Sequence, residues 1–173
     1  MLTLLWMFAG STAKAANDDM QAIRGFAIDR TEVSIAQFAR YVQATGVVTT
    51  AERAGGGGTY EGGWVQRNGW TWRTPYGIPA NDREPAVHIT FNEAKAFCQW
   101  AGKRLPNDAE WMEAAYMERR ASPRAGFVKD TRYPYPTGIS PEGANCLGDC
   151  GTTNTLAAYA GGLVTSRGVG HVL

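Results

Sequence analysis

Three cysteines and two histidines carry most of the reactive chemistry in this 173-residue sequence, and their spacing limits what that chemistry can be. Cys146 and Cys150 bracket Leu147-Gly148-Asp149, which suits a local disulfide in an exported protein and leaves Cys98 unpaired. The competing reading makes Cys146 and Cys150 a thiolate pair for copper or zinc, both of which accept sulfur ligands. It is poorly supplied, because neither His88 nor His171 lies near in sequence and two thiolates do not close a zinc site. Nothing resembles a hydrolytic triad: His is scarce and no Gly-x-Ser-x-Gly occurs.

A second candidate is the segment 51–77, with eight glycines and Trp64, Trp70 and Trp72. Its lack of periodicity predicts a long irregular loop, and loops of that length in compact domains are functional or disordered. Aromatic content argues for order. The three rings then either form a platform for a sugar or peptide, or bury themselves in place of regular structure, and burial is the preferred reading.

The elements that must hold these residues are legible from caps. Phe26 and Ile28 alternate with Ala27 and Asp29, as in a strand. Ser34 with Gln37 forms a capping box for a helix whose face carries Ile35, Phe38 and Val42, with Tyr41 beside them; Gly46 ends it. The stretch from Glu84 to Glu118 is the most self-consistent. Val87 to Thr90 reads as extended, and Thr90 with Glu93 caps a helix. Its apolar face takes Phe91, Ala94, Cys98 and Ala101, widened by Phe97 and Trp100. Gly102 and Pro106 stop it, and Asn107 with Glu110 caps a second helix over 108–118, with Trp111, Ala114, Ala115 and Glu118 on one side. Glu93 and Glu110 are therefore read as cap residues and the rings as core.

Composition bounds the rest. The length fits one domain with a real core. Charged residues are 19% of the chain and the net charge is +1, which gives no electrostatic footprint for nucleic acid. Leu2 to Phe8 is apolar but too short to span a bilayer, and Ala13 and Ala15 fit an A-x-A cleavage pattern. Residues 1–15 are thus read as a signal peptide, giving a periplasmic or secreted protein. No basic residue precedes Lys14, so a cytoplasmic protein with a buried N-terminal strand is the alternative.

Several of these motifs also carry a resemblance. Phe97-Cys98-Gln99-Trp100-Ala101-Gly102-Lys103-Arg104-Leu105-Pro106, followed by Ala109-Glu110-Trp111, resembles the signature of the formylglycine-generating enzyme (sulfatase-modifying factor) family. Asp29 to Val33, Ala44 to Gly46, Thr50 to Glu52, Trp72-Arg73-x-Pro75-x-Gly77 and Pro85 to Thr90 agree in order. The likeness runs roughly from Phe26 to Cys150. Asn107, Met112 and Tyr133-Pro134-Tyr135-Pro136 depart from the usual pattern, the first with its capping chemistry intact.

The resemblance implies an α+β, C-type-lectin-like fold with little regular structure, and residues 23–173 as the N-terminal part of one such domain. It implies an oxidase that converts a cysteine of a sulfatase-like protein or peptide substrate to formylglycine with oxygen and copper. The copper would sit on a cysteine pair beyond G-N-x-W-E-W and G-G-S motifs, neither of which occurs here, so no catalytic residue is assigned. By the same resemblance Cys98 pairs with a cysteine near the family's C-terminal end. Calcium is implied at the Asn145 side-chain oxygen and the Cys146 carbonyl, a set that needs further oxygens; only Glu142 and Asp149 are near. Residues 151–173 read as a connecting region, and the chain as incomplete, with Phe97, Trp100 and Trp111 expected to lack partners. A binding or accessory module using the Trp-rich segment, without a redox metal, is the alternative. A non-haem iron oxidase is disfavoured with two His in the chain.

Overall fold

The computed structural model describes residues 20–61 and 63–141. The leader over 1–15, the Asn145, Cys146 and Cys150 assignments and the segment 151–173 all lie outside the described residues. Strand β1 (Met20–Ile23) pairs antiparallel with β2 (Phe26–Asp29), Met20 opposite Asp29 and Ile23 opposite Phe26. The sequence pattern anticipated only β2. Gly25, at φ 80°, supplies the left-handed residue of the tight turn between them.

Helix α1 (Ile35–Thr45) begins and ends as its caps dictate. Ser34 accepts from the Gln37 N–H, Gln37 reaches back to the Ser34 N–H at 2.7 Å, and Gly46 closes the helix at φ 69°. Its first N–H groups find partners outside the helix: Ile35 donates to the Glu84 carbonyl at 2.8 Å and Ala36 to that of Asp82 at 2.9 Å. The segment before α3 is thereby laced to the start of α1.

The irregular loop expected over 51–77 is instead half regular. Helix α2 (Thr50–Arg53) carries a Thr49/Glu52 capping box, and β3 (Gly56–Tyr60) pairs antiparallel with β4 (Trp64–Asn68). Glycine content does not make a loop here, because close packing of a strand can demand glycine as well. Gly56, Gly57 and Gly58 keep ordinary strand φ, and two of them are glycine for want of space. A Cβ on Gly56 would stand 2.8 Å from the Arg67 carbonyl carbon, and one on Gly57 2.5 Å from His88 Cγ.

Helix α3 (Phe91–Trp100) has the expected Thr90/Glu93 box, and Glu93 Oε1 also accepts the Thr50 N–H at 2.6 Å, tying α2 to α3. Helix α4 (Asp108–Tyr116) starts at Asn107 as expected but stops two residues short of Glu118. Met117 turns extended, and buried Glu118 pairs with Arg120 instead of continuing a helical face. Val87 to Thr90 is not uniformly extended either, because His88 adopts φ 55°, left-handed and strained for a residue with a Cβ.

The core is a ring cluster. Phe38 meets Trp72 at 5.1 Å, Tyr41 at 5.4 Å and Phe97 at 5.6 Å between centroids, with Ile35 beside them. Trp72 is 0% exposed, whereas Trp64 is 81% exposed, so burial holds for one Trp of the segment and fails for another. Phe97 keeps its partners, contrary to expectation, because α1 supplies two rings. Phe91, placed on the apolar face by periodicity, stands in solvent because it occupies the first turn, ahead of the contact with α1. The result is mixed helix and strand with few regular elements.

Candidate functional site

A groove of about 590 Å³ runs between the β2 strand with its continuation Arg30–Val33 and the end of α3. Local chemistry fixes the α3 wall. Gly102 at φ 71° lets the Lys103 N–H reach the Cys98 carbonyl at 2.7 Å while the Gly102 N–H reaches that of Gln99 at 3.1 Å, a Schellman end. The turn throws Lys103 across the groove, where its Nζ donates to Asp29 Oδ1 at 2.5 Å. This half-buried pair joins the strand wall to the helix wall.

Cys98 lies between those walls, half-buried. Burial pushes its thiol pKa up, the Asp29 carboxylate adds to the rise, and Lys103 opposes it. At neutral pH the group is therefore a thiol. Since the thiolate is both nucleophile and metal ligand, Cys98 is set for neither role. Further along, Arg104 grips Glu110 with two hydrogen bonds, 2.6 and 2.5 Å, and Glu110 also accepts the Asn107 N–H at 2.9 Å. The Arg104 fork, then the backbone bond, hold the Glu110 carboxyl down to about 2. Glu32 stands at the rim, exposed as a residue, yet the protein atoms around its carboxyl push its pKa up. Trp111 lines the groove and Trp100 stands at the end of α3 beside Tyr41; both are close to half exposed, at 45% and 43%. Trp100 nevertheless keeps ring partners, Tyr41 at 5.5 Å and Phe97 at 6.0 Å, so the expectation of missing partners fails for it as it does for Phe97.

A second opening of about 600 Å³ lies beside the β3–β4 hairpin, bordered by Gly58, Trp64, Gln66 and His88. His88 Nε2 donates to the Pro75 carbonyl at 2.9 Å, since a carbonyl only accepts, and its ring packs against Trp70 at 5.6 Å. Neither His88 nor the Asp29–Lys103 pair was picked out from sequence as a site feature. No spacing rule links residues 74 positions apart, and nothing in the pattern announces a left-handed His.

Among the described residues no three His, Cys, Asp or Glu side chains are grouped to hold a metal, and none of their helices is long and apolar enough to cross a membrane. They hold one cysteine, so they do not suit a copper ion that needs a thiolate pair.

The family model described as "Sulfatase-modifying factor enzyme 1-like domain" matches residues 5–158. A formylglycine-generating enzyme of Streptomyces coelicolor is 36% identical over 142 residues, 70% of this chain and 42% of that protein. One from Thermomonospora curvata is 36% identical over 139 residues, 68% and 43% of the two chains. The "Inactive C-alpha-formylglycine-generating enzyme 2" of Bos taurus is 35% identical over 86 residues, 47% and 26%. The chain thus spans about two fifths of the length of the first two relatives.

Proposed function

Because the chain belongs to the sulfatase-modifying factor enzyme 1-like family, we propose that it is a formylglycine-generating-enzyme-like protein with a C-type-lectin-like fold. Its substrate would be a cysteine in a sulfatase-like protein or peptide. The observation that carries this reading is the match over residues 5–158, joined to 36% identity with an enzyme of that name. The described residues supply scaffold to this chemistry. The Schellman end of α3, the Asp29–Lys103 pair and the Arg104–Glu110 fork shape one groove wall, and Cys98 sits there protonated. A protonated, half-buried thiol suits a structural partner better than a reacting one.

When bound, copper would supply the oxygen chemistry; no described residue is assigned to it. Calcium at Asn145 and the Cys146 carbonyl, a Cys146–Cys150 disulfide, and export to the periplasm or beyond belong to the same proposal. The export claim rests on the apolar run Leu2 to Phe8 and the Ala13-x-Ala15 pattern. The test is incubation of the full chain with copper, oxygen and a sulfatase-derived cysteine peptide, read by mass spectrometry and hydrazide capture of the aldehyde. Aldehyde formation supports the oxidase. A silent chain, beside a relative that converts the same peptide, would favour the second reading, a non-catalytic module. That reading draws on the likeness to a relative described as inactive.

A further inference from the structure

We propose that the cleft beside the β3–β4 hairpin binds a neutral carbohydrate, with Trp64 as the platform for one face of a sugar ring. The inference does not rest on the oxidase reading, and the cleft is separate from the Cys98 groove. Four observations carry it. Trp64 is 81% exposed although it sits on a paired strand, and its neighbour Tyr60 meets it edge-on at 5.9 Å and is itself exposed. An exposed pair of large rings held rigidly by a hairpin is an apolar platform without a partner inside the described chain.

The second observation is Gly58. Gly56 and Gly57 have no room for a Cβ, but nothing comes closer than 3.7 Å to a Cβ on Gly58, and that nearest group is the Trp64 ring. Packing therefore explains two of the glycines and not the third, where a methyl would fit in ordinary contact with the indole. Glycine in a strand marks places where another body approaches the backbone closely.

Third, none of the residues lining the cleft is Asp, Glu, Lys or Arg, so it offers no counter-charge to a phosphate, a carboxylate or an amine. Fourth, the cleft offers hydrogen-bond acceptors, from Gln66 and from the hydroxyl oxygens of Thr50 and Thr90. Gln66 spends its amide N–H on the Ala54 carbonyl at 2.9 Å, which leaves Oε1 to accept. His88 already holds the Pro75 carbonyl through Nε2, and its ring lies against the bare backbone of Gly57. Acceptors beside an aromatic face suit a ligand with C–H groups on one side and hydroxyl donors at its edge. An extended peptide would instead want alternating donors and acceptors in a row.

The experiment is saturation-transfer NMR on the full chain with cellotetraose, maltotetraose and chitotetraose at millimolar concentration, alongside an uncharged decapeptide. The expected result is saturation of sugar ring protons by the wild type. Trp64→Ala should weaken binding about tenfold, the order of one lost aromatic contact, and Gln66→Ala should weaken it less. Circular dichroism of Trp64→Ala should match the wild type, as the ring lies outside the core, and Trp64→Phe should restore part of the signal. Silence from all three sugars overturns the proposal. So does binding that Trp64→Ala leaves intact, or a response from the decapeptide alone.

Discussion

Replacing three consecutive glycines by alanine, one at a time, should change stability in two opposite directions. Strand φ at Gly56, Gly57 and Gly58 is compatible with alanine, so the unfolded-state entropy gain is available at all three. At Gly58 nothing opposes it, the nearest atom being 3.7 Å from the new methyl. Gly58→Ala should therefore stabilise by ~0.4–1 kcal/mol, a rise in Tm of roughly 1–4 °C for a chain of this size. At Gly57 the methyl would meet His88 Cγ at 2.5 Å and Cβ at 2.8 Å, and the imidazole is held by Pro75 and Trp70. Overpacking of that kind costs ~1–3 kcal/mol, a fall of roughly 2–12 °C. At Gly56 the obstacle is the Arg67 peptide of the paired strand, which cannot swing aside without opening the hairpin. Its cost should exceed that of Gly57→Ala. Thermal melts followed by circular dichroism give the order, and amide exchange over 56–68 detects a hairpin that opens locally without a global transition. One sign for all three substitutions, or a Gly58→Ala protein as weak as Gly56→Ala, would refute the account of the hairpin.

Phe38→Ala removes the ring that touches Trp72, Tyr41 and Phe97 and should cost ~3–5 kcal/mol in urea denaturation; a loss below that of Trp111→Ala would contradict the assigned core. Asn107→Ala should cost ~0.5–2 kcal/mol and fray the start of α4, seen as lost far-UV helicity. The Arg104 fork holds the Glu110 pKa at about 2, below its ordinary 4.5, so its contribution is complete above 4.5 and drains away as pH falls toward about 2. Arg104→Met should move the acid unfolding midpoint to higher pH, and an unchanged midpoint would show that the fork does not act in solution. Cys98 should be alkylated more slowly at pH 8 than a cysteine in an unstructured peptide, with Asp29→Asn speeding the reaction and Lys103→Met slowing it further. Equal rates for the chain and the peptide would overturn the buried-thiol reading.

What was legible in the sequence were the interactions made within a few residues. Ser34 with Gln37, Thr90 with Glu93 and Asn107 with Glu110 form the expected boxes, because a cap is a contact over three residues and composition alone nearly decides it. Thr49 with Glu52 obeys the same rule, but its signal is masked by the eight glycines of the segment that follows, which argue for a loop. Facing was less legible than helicity. Periodicity gave Phe91 and Trp100 to the core with Phe97, yet α1 is in reach of Phe97 and leaves Phe91 in solvent, since a helical stripe says which residues share a side and not how much of that side has a neighbour.

The sites were legible least, and the reason is the same in both. Each depends on residues that meet only after the backbone has turned. Asp29 and Lys103 lie 74 positions apart and come within 2.5 Å because Gly102 reverses the end of α3. His88 blocks Gly57 because a left-handed φ aims its ring at a strand thirty residues earlier. The strain of that conformation, ~1–3 kcal/mol for a non-glycine residue, must be repaid by what the ring holds together, the Pro75 carbonyl, the Trp70 ring and the bare backbone of β3. Glycine at position 88 would remove the strain together with the contacts that offset it, whereas any other residue keeps the strain. His88→Gly should therefore lose less stability than the contacts alone suggest, while His88→Val, which keeps a Cβ at φ 55° and has no N–H for Pro75, should lose more. A hairpin equally protected from amide exchange in both variants would separate the strained backbone from the clasp it is argued to serve.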